Sequence, residues 1–145
     1  FFVQGNESVY DNVSLPLEIA RVPRNKRKPR VMRALKAVEL SDKVKSKAKN
    51  LSGGQKQRLA IARAIVGEPK IIFADEPTGN LDSLTGAKVE ELLFGYNRDK
   101  GVTLIIVTHD PELAAKCDML VSIKDGEVEK KKKKSTVESL RTKVI

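Results

Sequence analysis

Two short apolar runs rich in β-branched residues constrain the fold more than any other feature of this sequence. They span residues 70–74 and 102–108, and each has the length and composition of a buried strand. Between them, apolar residues recur at the spacing of one helix face: Val89, Leu92, Leu93 and Tyr96. Strand, helix and strand in this order predict an α/β fold with a mainly parallel sheet. Ligands of such sheets bind at the carboxyl ends of the strands, so the residues after each run are candidate site residues.

Helical patterns dominate the chain before these runs. Ser8 or Asp11 is placed to cap a first helix, and four apolar residues indicate a second: Val31, Ala34, Leu35 and Val38. A third helix is expected from Gly53 to about Val66. The prolines and charges of residues 22–29 predict a solvated loop instead.

The end of the chain predicts a small hairpin and a basic tail. Residues 119–124 predict a last strand of the sheet, Asp125-Gly126 a hairpin turn, and residues 127–129 a short return strand. Lysines occupy all five positions from 130 to 134. Residues 130–145 are therefore expected to form a solvated tail or a loosely attached helix.

Composition excludes several classes of protein and site. A length of 145 residues suits one domain, and the single cysteine, Cys117, excludes an intrachain disulfide framework. With one histidine, the usual zinc sites are also excluded. The net charge of +9 is concentrated in residues 21–36 and 130–134, and acidic residues outnumber basic ones elsewhere. No apolar run approaches the length of a membrane span.

The segment Leu51-Ser52-Gly53-Gly54-Gln55 opens the third predicted helix. Ser52 followed three residues later by Gln55 is a capping-box pattern. Each glycine in a helix costs about 1 kcal/mol relative to alanine, so the pair is a poor choice for stability alone. It leaves bare backbone N–H groups at the positive end of the helix dipole, where a phosphate can approach. A flexible turn is the alternative for a Gly-Gly pair taken by itself.

Two adjacent carboxylates, Asp75 and Glu76, follow the first apolar run. Neighbouring side chains of extended backbone point to opposite sides, so the two acids can have different roles. Pro77 biases Glu76 away from helical backbone, which would keep the pair at the strand tip. Asp75 is placed to hold Mg²⁺ through water, and Glu76 to polarise an attacking water. A solvated Asp-Glu turn is the alternative.

His109 and Asp82 complete the set of candidate site residues. His109 follows the second run, so we expect it to reach the same end of the sheet as Glu76 and to donate a hydrogen bond to a phosphate. A lone surface histidine is the alternative. Asp82 lies in the turn 79–82, where by itself it predicts the cap of the next helix.

In this order the four motifs resemble those of the nucleotide-binding subunit of ABC transporters. The correspondences are Leu51–Gln55 with the signature motif, residues 71–76 with the Walker B strand, Gly79–Asp82 with the D-loop, and His109 with the switch histidine. Residues 8–13 and 76–83 are most similar to the subgroup that serves lipoprotein release, macrolide or antimicrobial-peptide export and cell division.

The resemblance covers about residues 1–129 and implies the domain organisation. Residues 1–68 would form the helical subdomain, and residues 69–129 the later half of a RecA-like ATPase core of the P-loop NTPase class. Residues 130–145 would remain as the basic tail. In that family two nucleotide-binding domains enclose two ATP molecules head to tail.

The same resemblance implies roles for the candidate residues. One segment would contact the γ-phosphate of the ATP that the partner subunit holds: Ser52, Gly53, Gly54 and Gln55. Asp75 would serve Mg²⁺, Glu76 the hydrolytic water and His109 the γ-phosphate. Asp82 would communicate across the dimer. The implied activity is ATP hydrolysis coupled to transport by membrane permease subunits, at the cytoplasmic face of the membrane.

The phosphate cradle of that family, G-x-x-x-x-G-K-S/T, is absent, because none of the nine glycines precedes a lysine. The chain is therefore expected to be the C-terminal part of such a subunit and to bind ATP weakly or not at all alone. A sheet truncated in this way is also expected to expose an apolar face and an open edge. Gln4 superficially resembles the family's Q-loop glutamine, but an ungapped register on Asp11-Asn12-Val13 places that glutamine before Phe1, so Gln4 is not assigned.

Two alternatives belong to other functional classes. The basic stretches motivate a nucleic-acid-associated ABC-type ATPase, since phosphate contacts dominate the affinity of such proteins. A solvated loop and helix face explains the same charges, and no nucleic-acid partner is expected. The second alternative is a non-catalytic relative of the ATPases, and the intact residues Asp75, Glu76 and His109 argue against it.

Overall fold

A helical part precedes a five-stranded sheet in this computed structural model, which describes residues 3–79, 81–133 and 142–144. The helices are α1 (Val9–Ile19), α2 (Arg24–Ala37), α3 (Gly53–Ile65), α4 (Ser83–Lys100) and α5 (Pro111–Ala115), with 3-10 turns at Ser41–Lys43 and Ala48–Asn50. The strands are β1 (Ile71–Asp75), β2 (Thr103–Val107), β3 (Met119–Lys124), β4 (Glu127–Lys133) and β5 (Thr142–Val144). The predicted strand–helix–strand order in the middle of the chain is confirmed.

Helix α1 begins at the first of its two predicted caps. The backbone N–H of Asp11 donates to Ser8 Oγ at 3.0 Å, so Ser8 is the cap. The helix then buries one face, which carries Val9, Val13 and Leu17. This face joins a single apolar core that also includes buried residues of α2, α3, α4 and the sheet.

The prediction of a loop over residues 22–29 is wrong, because α2 already begins at Arg24. Pro29 lies inside this helix and removes one backbone donor. By themselves, the many charges of this stretch indicate a loop. Arginine and lysine are good helix formers, however, so these basic residues favour the helix. The buried face of Val31, Ala34 and Leu35 then compensates for the proline by packing into the core.

The sheet order is β1-β2-β5-β3-β4 among the described strands. All neighbours run parallel except β3 and β4, so the expected mainly parallel sheet is confirmed. The register of β1 on β2 places Asp75 beside Val107. The residues that follow these two strands, beginning with Glu76 and Thr108, therefore meet at one edge of the sheet.

The C-terminal residues differ from the expected solvated tail. The predicted return strand extends to Lys133 in β4, and β5 inserts between β2 and β3. Strand β4 is the last in the sheet order among the described strands. Lysine is depleted in strands, so the composition of residues 130–133 did not indicate one. The rest of the predicted tail, residues 134–141 and 145, lies outside the described residues.

One face of the sheet carries exposed apolar side chains, in agreement with the expected exposed face. On β1, Ile72 is buried, whereas Ile71 and Phe73 on the opposite face are exposed, Phe73 by 73%. Val107 of β2 is also exposed. None of the helices in the described ranges has the length and hydropathy of a membrane span.

Candidate functional site

The backbone of Glu76 turns sharply where β1 ends. Its φ angle is +40°, so Glu76 is outside the right-handed helical region, as the following proline predicted, and has a left-handed conformation. A tight turn accounts for this conformation, because the N–H of Gly79 donates to Glu76 O at 3.3 Å, and the N–H of Glu76 donates to Val107 O at 2.9 Å. A left-handed conformation costs a residue other than glycine about 1–3 kcal/mol, and such strain is concentrated at functional sites.

The Glu76 carboxylate is held by three hydrogen bonds from the end of β2. Its Oε1 accepts from the backbone N–H of His109 at 2.9 Å and from His109 Nδ1 at 2.8 Å. Its Oε2 accepts from Thr108 Oγ1 at 3.2 Å. The hydrogen bond from the His109 ring is the main reason that the pKa of Glu76 is lowered, although partial burial opposes the shift. Glu76 is therefore an ionised acceptor at neutral pH.

This pairing fixes the tautomer of His109. A carboxylate only accepts hydrogen bonds, so Nδ1 must carry the proton that it shares with Glu76. The ring is otherwise 88% exposed, which leaves Nε2 available to a ligand. Only a doubly protonated ring can donate from Nε2 while Nδ1 still donates to Glu76.

Asp75 ends β1, and its side chain is exposed. The described residues contain no cluster of three side chains able to enclose a metal ion. Mg²⁺ in nucleotide sites is usually held by one or two carboxylates together with waters and phosphate oxygens. A single exposed carboxylate at this position fits such a site, and it does not fit a closed protein cage.

The first turn of α3 forms the predicted capping box. The N–H of Gln55 donates to Ser52 Oγ at 3.3 Å, and the N–H of Ser52 donates to Gln55 Oε1 at 3.0 Å. The amides of Gly53 and Gly54 donate no hydrogen bond to the described part of the chain. These two N–H groups at a helix N-terminus are therefore left for an anion.

The two glycines have different structural environments. A Cβ at Gly53 would meet nothing within 4 Å, so this position is open to a ligand. A Cβ at Gly54 would lie 2.2 Å from Thr85 Cγ2 of α4. Close packing of α3 on α4 thus requires Gly54, a reason that the sequence interpretation missed.

Asp82 caps α4, as its position in the turn predicted. Its Oδ1 accepts from the backbone N–H of Thr85 at 3.0 Å, and hydrogen bonds from Thr85 lower the pKa of Asp82. The start of α4 is thereby fixed beside the start of α3.

The structure brings some of the predicted site residues together and not others. Glu76 and His109 are in direct contact, and Asp75 precedes Glu76. No hydrogen bond within the described ranges joins the Ser52–Gln55 segment to Glu76 or His109. Sequence analysis missed Thr108, although its place before His109 at a strand end was a usable signal. It also missed Gln57, whose contact with Pro77 spans twenty residues.

Comparisons with known proteins identify relatives of this chain. A family profile described as ABC transporter matches residues 2–79. The lipoprotein-releasing system ATP-binding protein LolD of Syntrophus aciditrophicus is 46% identical over 121 residues, which are 83% of this chain and 54% of that protein. The methionine import ATP-binding protein MetN of Escherichia coli K12 is 42% identical over 129 residues, 88% of this chain and 38% of that protein.

Solved structures give the same result for the fold. The dimeric post-hydrolysis state of the ATP-binding cassette MJ0796, bound to ADP and Pi, superposes with a TM-score of 0.79 at 40% identity and covers 90% of this chain. The match includes 58% of that cassette. This chain spans about half the length of the curated relatives it matches. Because the family profile covers just over half of its residues and the cassette fold is shared, the chain belongs to the ABC transporter family.

Proposed function

We propose that this chain is part of an ATP-binding subunit of an ABC transporter in which Glu76 and His109 serve ATP hydrolysis. The observation that carries the proposal is the Glu76 carboxylate, which Thr108 and His109 hold in place at the carboxyl end of β1. Three donors and a lowered pKa keep this carboxylate ionised and oriented. Such a group suits the activation of a water molecule rather than the donation of a proton.

In the proposed reaction, Glu76 accepts a hydrogen bond from the water that attacks the γ-phosphorus. The P–O bond to ADP breaks, and the proton of the water leaves with inorganic phosphate. Asp75 would hold Mg²⁺, which when bound neutralises charge on the phosphate oxygens. Thr108 contributes by fixing the second oxygen of Glu76, so the carboxylate keeps one orientation toward the water.

His109 is proposed to contact the γ-phosphate through Nε2. Because Nδ1 is committed to Glu76, this contact is a donated hydrogen bond only when the ring carries both protons. The imidazolium would then stabilise the charge on the γ-phosphoryl group during its transfer to water, while it orients the carboxylate.

The segment from Ser52 to Gln55 is proposed to contact ATP held by a second nucleotide-binding domain, in a head-to-tail dimer. Two observations support this. The amides of Gly53 and Gly54 have no partner among the described residues, and solved cassettes similar to this chain are dimeric. Asp82 would lie at the dimer interface. The dimer would drive permease subunits from the cytoplasmic face of the membrane.

A Walker A segment must come from outside residues 1–145, since no glycine of this sequence precedes a lysine. We propose that residues 1–145 alone bind ATP weakly or not at all. Calorimetric titration of this chain with Mg²⁺ and ATP tests the statement. Micromolar, Mg²⁺-dependent binding would contradict it.

Mixing this chain with full-length LolD of S. aciditrophicus tests the role of the α3 first turn. Sedimentation should detect a mixed assembly that requires ATP, because Gly53 and Gly54 contact the nucleotide held by LolD. The Gly53→Arg variant should abolish that assembly, whereas Ser41→Arg, at another exposed position, should leave it intact. A mixed assembly that forms equally well without ATP and with the Gly53→Arg variant would contradict the proposed contact.

A further inference from the structure

A buried glutamine, Gln57, joins α3 to the turn that holds Glu76, and the mechanism above gives it no role. Its Nε2 donates to Pro77 O at 2.8 Å, and its side chain is only 9% exposed. We propose that Gln57 is a positioning residue that couples the first turns of α3 to the orientation of the Glu76 carboxylate. The inference rests on the proposed function for the catalytic role of Glu76. The contact between Gln57 and Pro77 and its test do not require ATP.

The contact acts directly on the turn after β1. Pro77 is buried and follows Glu76, whose left-handed φ of +40° needs outside support. The proline ring fixes its own φ angle and the peptide bond before it is planar, so ψ of Pro77 is the one soft dihedral between the Pro77 carbonyl and the Glu76 carbonyl. A displacement of the Pro77 carbonyl is therefore passed in part to the Glu76 backbone.

A second contact strengthens the same connection. Gly54 lies three residues before Gln57 on α3, so the two positions share one face of the helix. A Cβ at Gly54 would lie 2.2 Å from Thr85 Cγ2, which shows how closely this face approaches α4. This face of α3 therefore contacts the chain that follows Glu76 at two places, Pro77 and Thr85. Movement of the Gly53 and Gly54 amides, as on meeting an anion, would carry Gln57 with it.

Stability alone does not explain a glutamine at this position. Its Oε1 is buried and has no hydrogen-bond partner in the part of the chain that the structure describes. An unsatisfied buried carbonyl destabilises a fold, and methionine would fill a similar volume without it. The Nε2 donor is the group that only the glutamine supplies, and it is aimed at the residue after Glu76.

The single histidine of the chain provides a clean readout. In protein labelled with ¹⁵N-histidine, the ring nitrogens should report the Nδ1–H tautomer at pH 8, because Nδ1 donates to Glu76. In Gln57→Met the signals should move toward the free-histidine pattern, in which Nε2–H dominates. The backbone amide signal of His109 should shift as well, since it shares Glu76 Oε1. The Tm should fall by no more than about 5 °C, because the variant removes the unsatisfied Oε1 while it leaves Pro77 O unpaired, so the net loss is about that of one hydrogen bond.

Asn97 supplies a matched control. It is also a buried amide, and its Nδ2 donates to Val102 O at 2.6 Å, away from the Glu76 turn. Asn97→Leu should lower the Tm and leave the His109 signals unchanged. Unchanged His109 signals in folded Gln57→Met would overturn the proposal, as would equal shifts in both variants. Gln57→Leu is the second variant, and failure of both Gln57 variants to fold beside a folded Asn97→Leu would also overturn it. If the proposed function were wrong, the ATP-dependent assembly would not form, but the His109 signals would still change in Gln57→Met. The failure of the proposed function can therefore be told apart from the failure of the Gln57 proposal.

Discussion

Alanine at Gly54 should destabilise the chain, whereas alanine at Gly53 should stabilise it. Both positions lie in the first turn of α3, where replacing glycine gains up to about 1 kcal/mol of helix propensity. At Gly53 a new Cβ meets nothing within 4 Å, so this gain should appear in the free energy of unfolding. At Gly54 the new Cβ would lie 2.2 Å from Thr85 Cγ2, a contact too short to exist without movement.

The expected cost at Gly54 follows from overpacking. Extra methyl groups in well-packed contacts typically cost about 1–3 kcal/mol, and the β-branched side chain of Thr85 has few rotamers in which to retreat. The gain in helix propensity offsets up to about 1 kcal/mol of this cost, so Gly54→Ala should lower the free energy of unfolding by up to about 2 kcal/mol. The two alanine variants should thus differ by roughly 1–3 kcal/mol in stability.

A double-mutant cycle isolates the contact with Thr85. Thr85→Ser removes Cγ2 and keeps the hydroxyl, so Gly54→Ala combined with Thr85→Ser should recover most of the loss. Urea unfolding followed by circular dichroism measures all four proteins, with a coupling energy of about 1–3 kcal/mol expected. Equal stability of Gly54→Ala and Gly53→Ala, or a coupling energy near zero, would refute the clash between a Gly54 Cβ and Thr85.

Three further predictions concern the cap, the carboxylate and the exposed sheet face. Ser52→Ala should lower the free energy of unfolding by about 1 kcal/mol in urea, because the capping box is lost; no change would contradict the cap. The pKa of Glu76 is lowered from 4.5, so its stabilising contribution is present above that pH and is lost as the pH falls through the lower folded value. Glu76→Gln should therefore flatten the dependence of stability on pH below 4.5, and an unaltered acid profile would count against the His109 pairing. Phe73→Ser should reduce self-association in sedimentation velocity with little change in Tm, since this side chain is 73% exposed; equal association would exclude the face as its cause.

Local patterns in the sequence were sufficient for the parallel strands and for several caps. Residues 71–74 are a short apolar run and residues 103–107 a β-branched run, both of strand length, and the helix between them repeats its apolar face. Capping by Ser52 and Asp82 depends on residues three positions away, so it could be predicted from adjacent sequence. The approach of His109 to Glu76 followed from parallel strand order alone.

Features that depend on distant parts of the chain were not predictable in this way. The packing of α1, α2 and α3 into one core holds Pro29 inside a helix, against its local preference. The left-handed backbone of Glu76 is fixed by contacts with β2, and the Gln57 contact with Pro77 spans twenty residues. The domain division at residues 68 and 129, the absence of a nucleic-acid partner and the roles of the site residues remain predictions.

The central claim is that Glu76 activates water for ATP hydrolysis, and a chimeric subunit tests it most directly. The Walker A-containing N-terminal part of LolD from S. aciditrophicus would be joined ahead of this chain, and steady-state phosphate release and ATP binding would be measured. The Glu76→Gln variant should lose hydrolysis by at least about 100-fold while its ATP affinity stays within a few-fold of the parent. Phosphate release at the parental rate in the Glu76→Gln chimera would contradict the account.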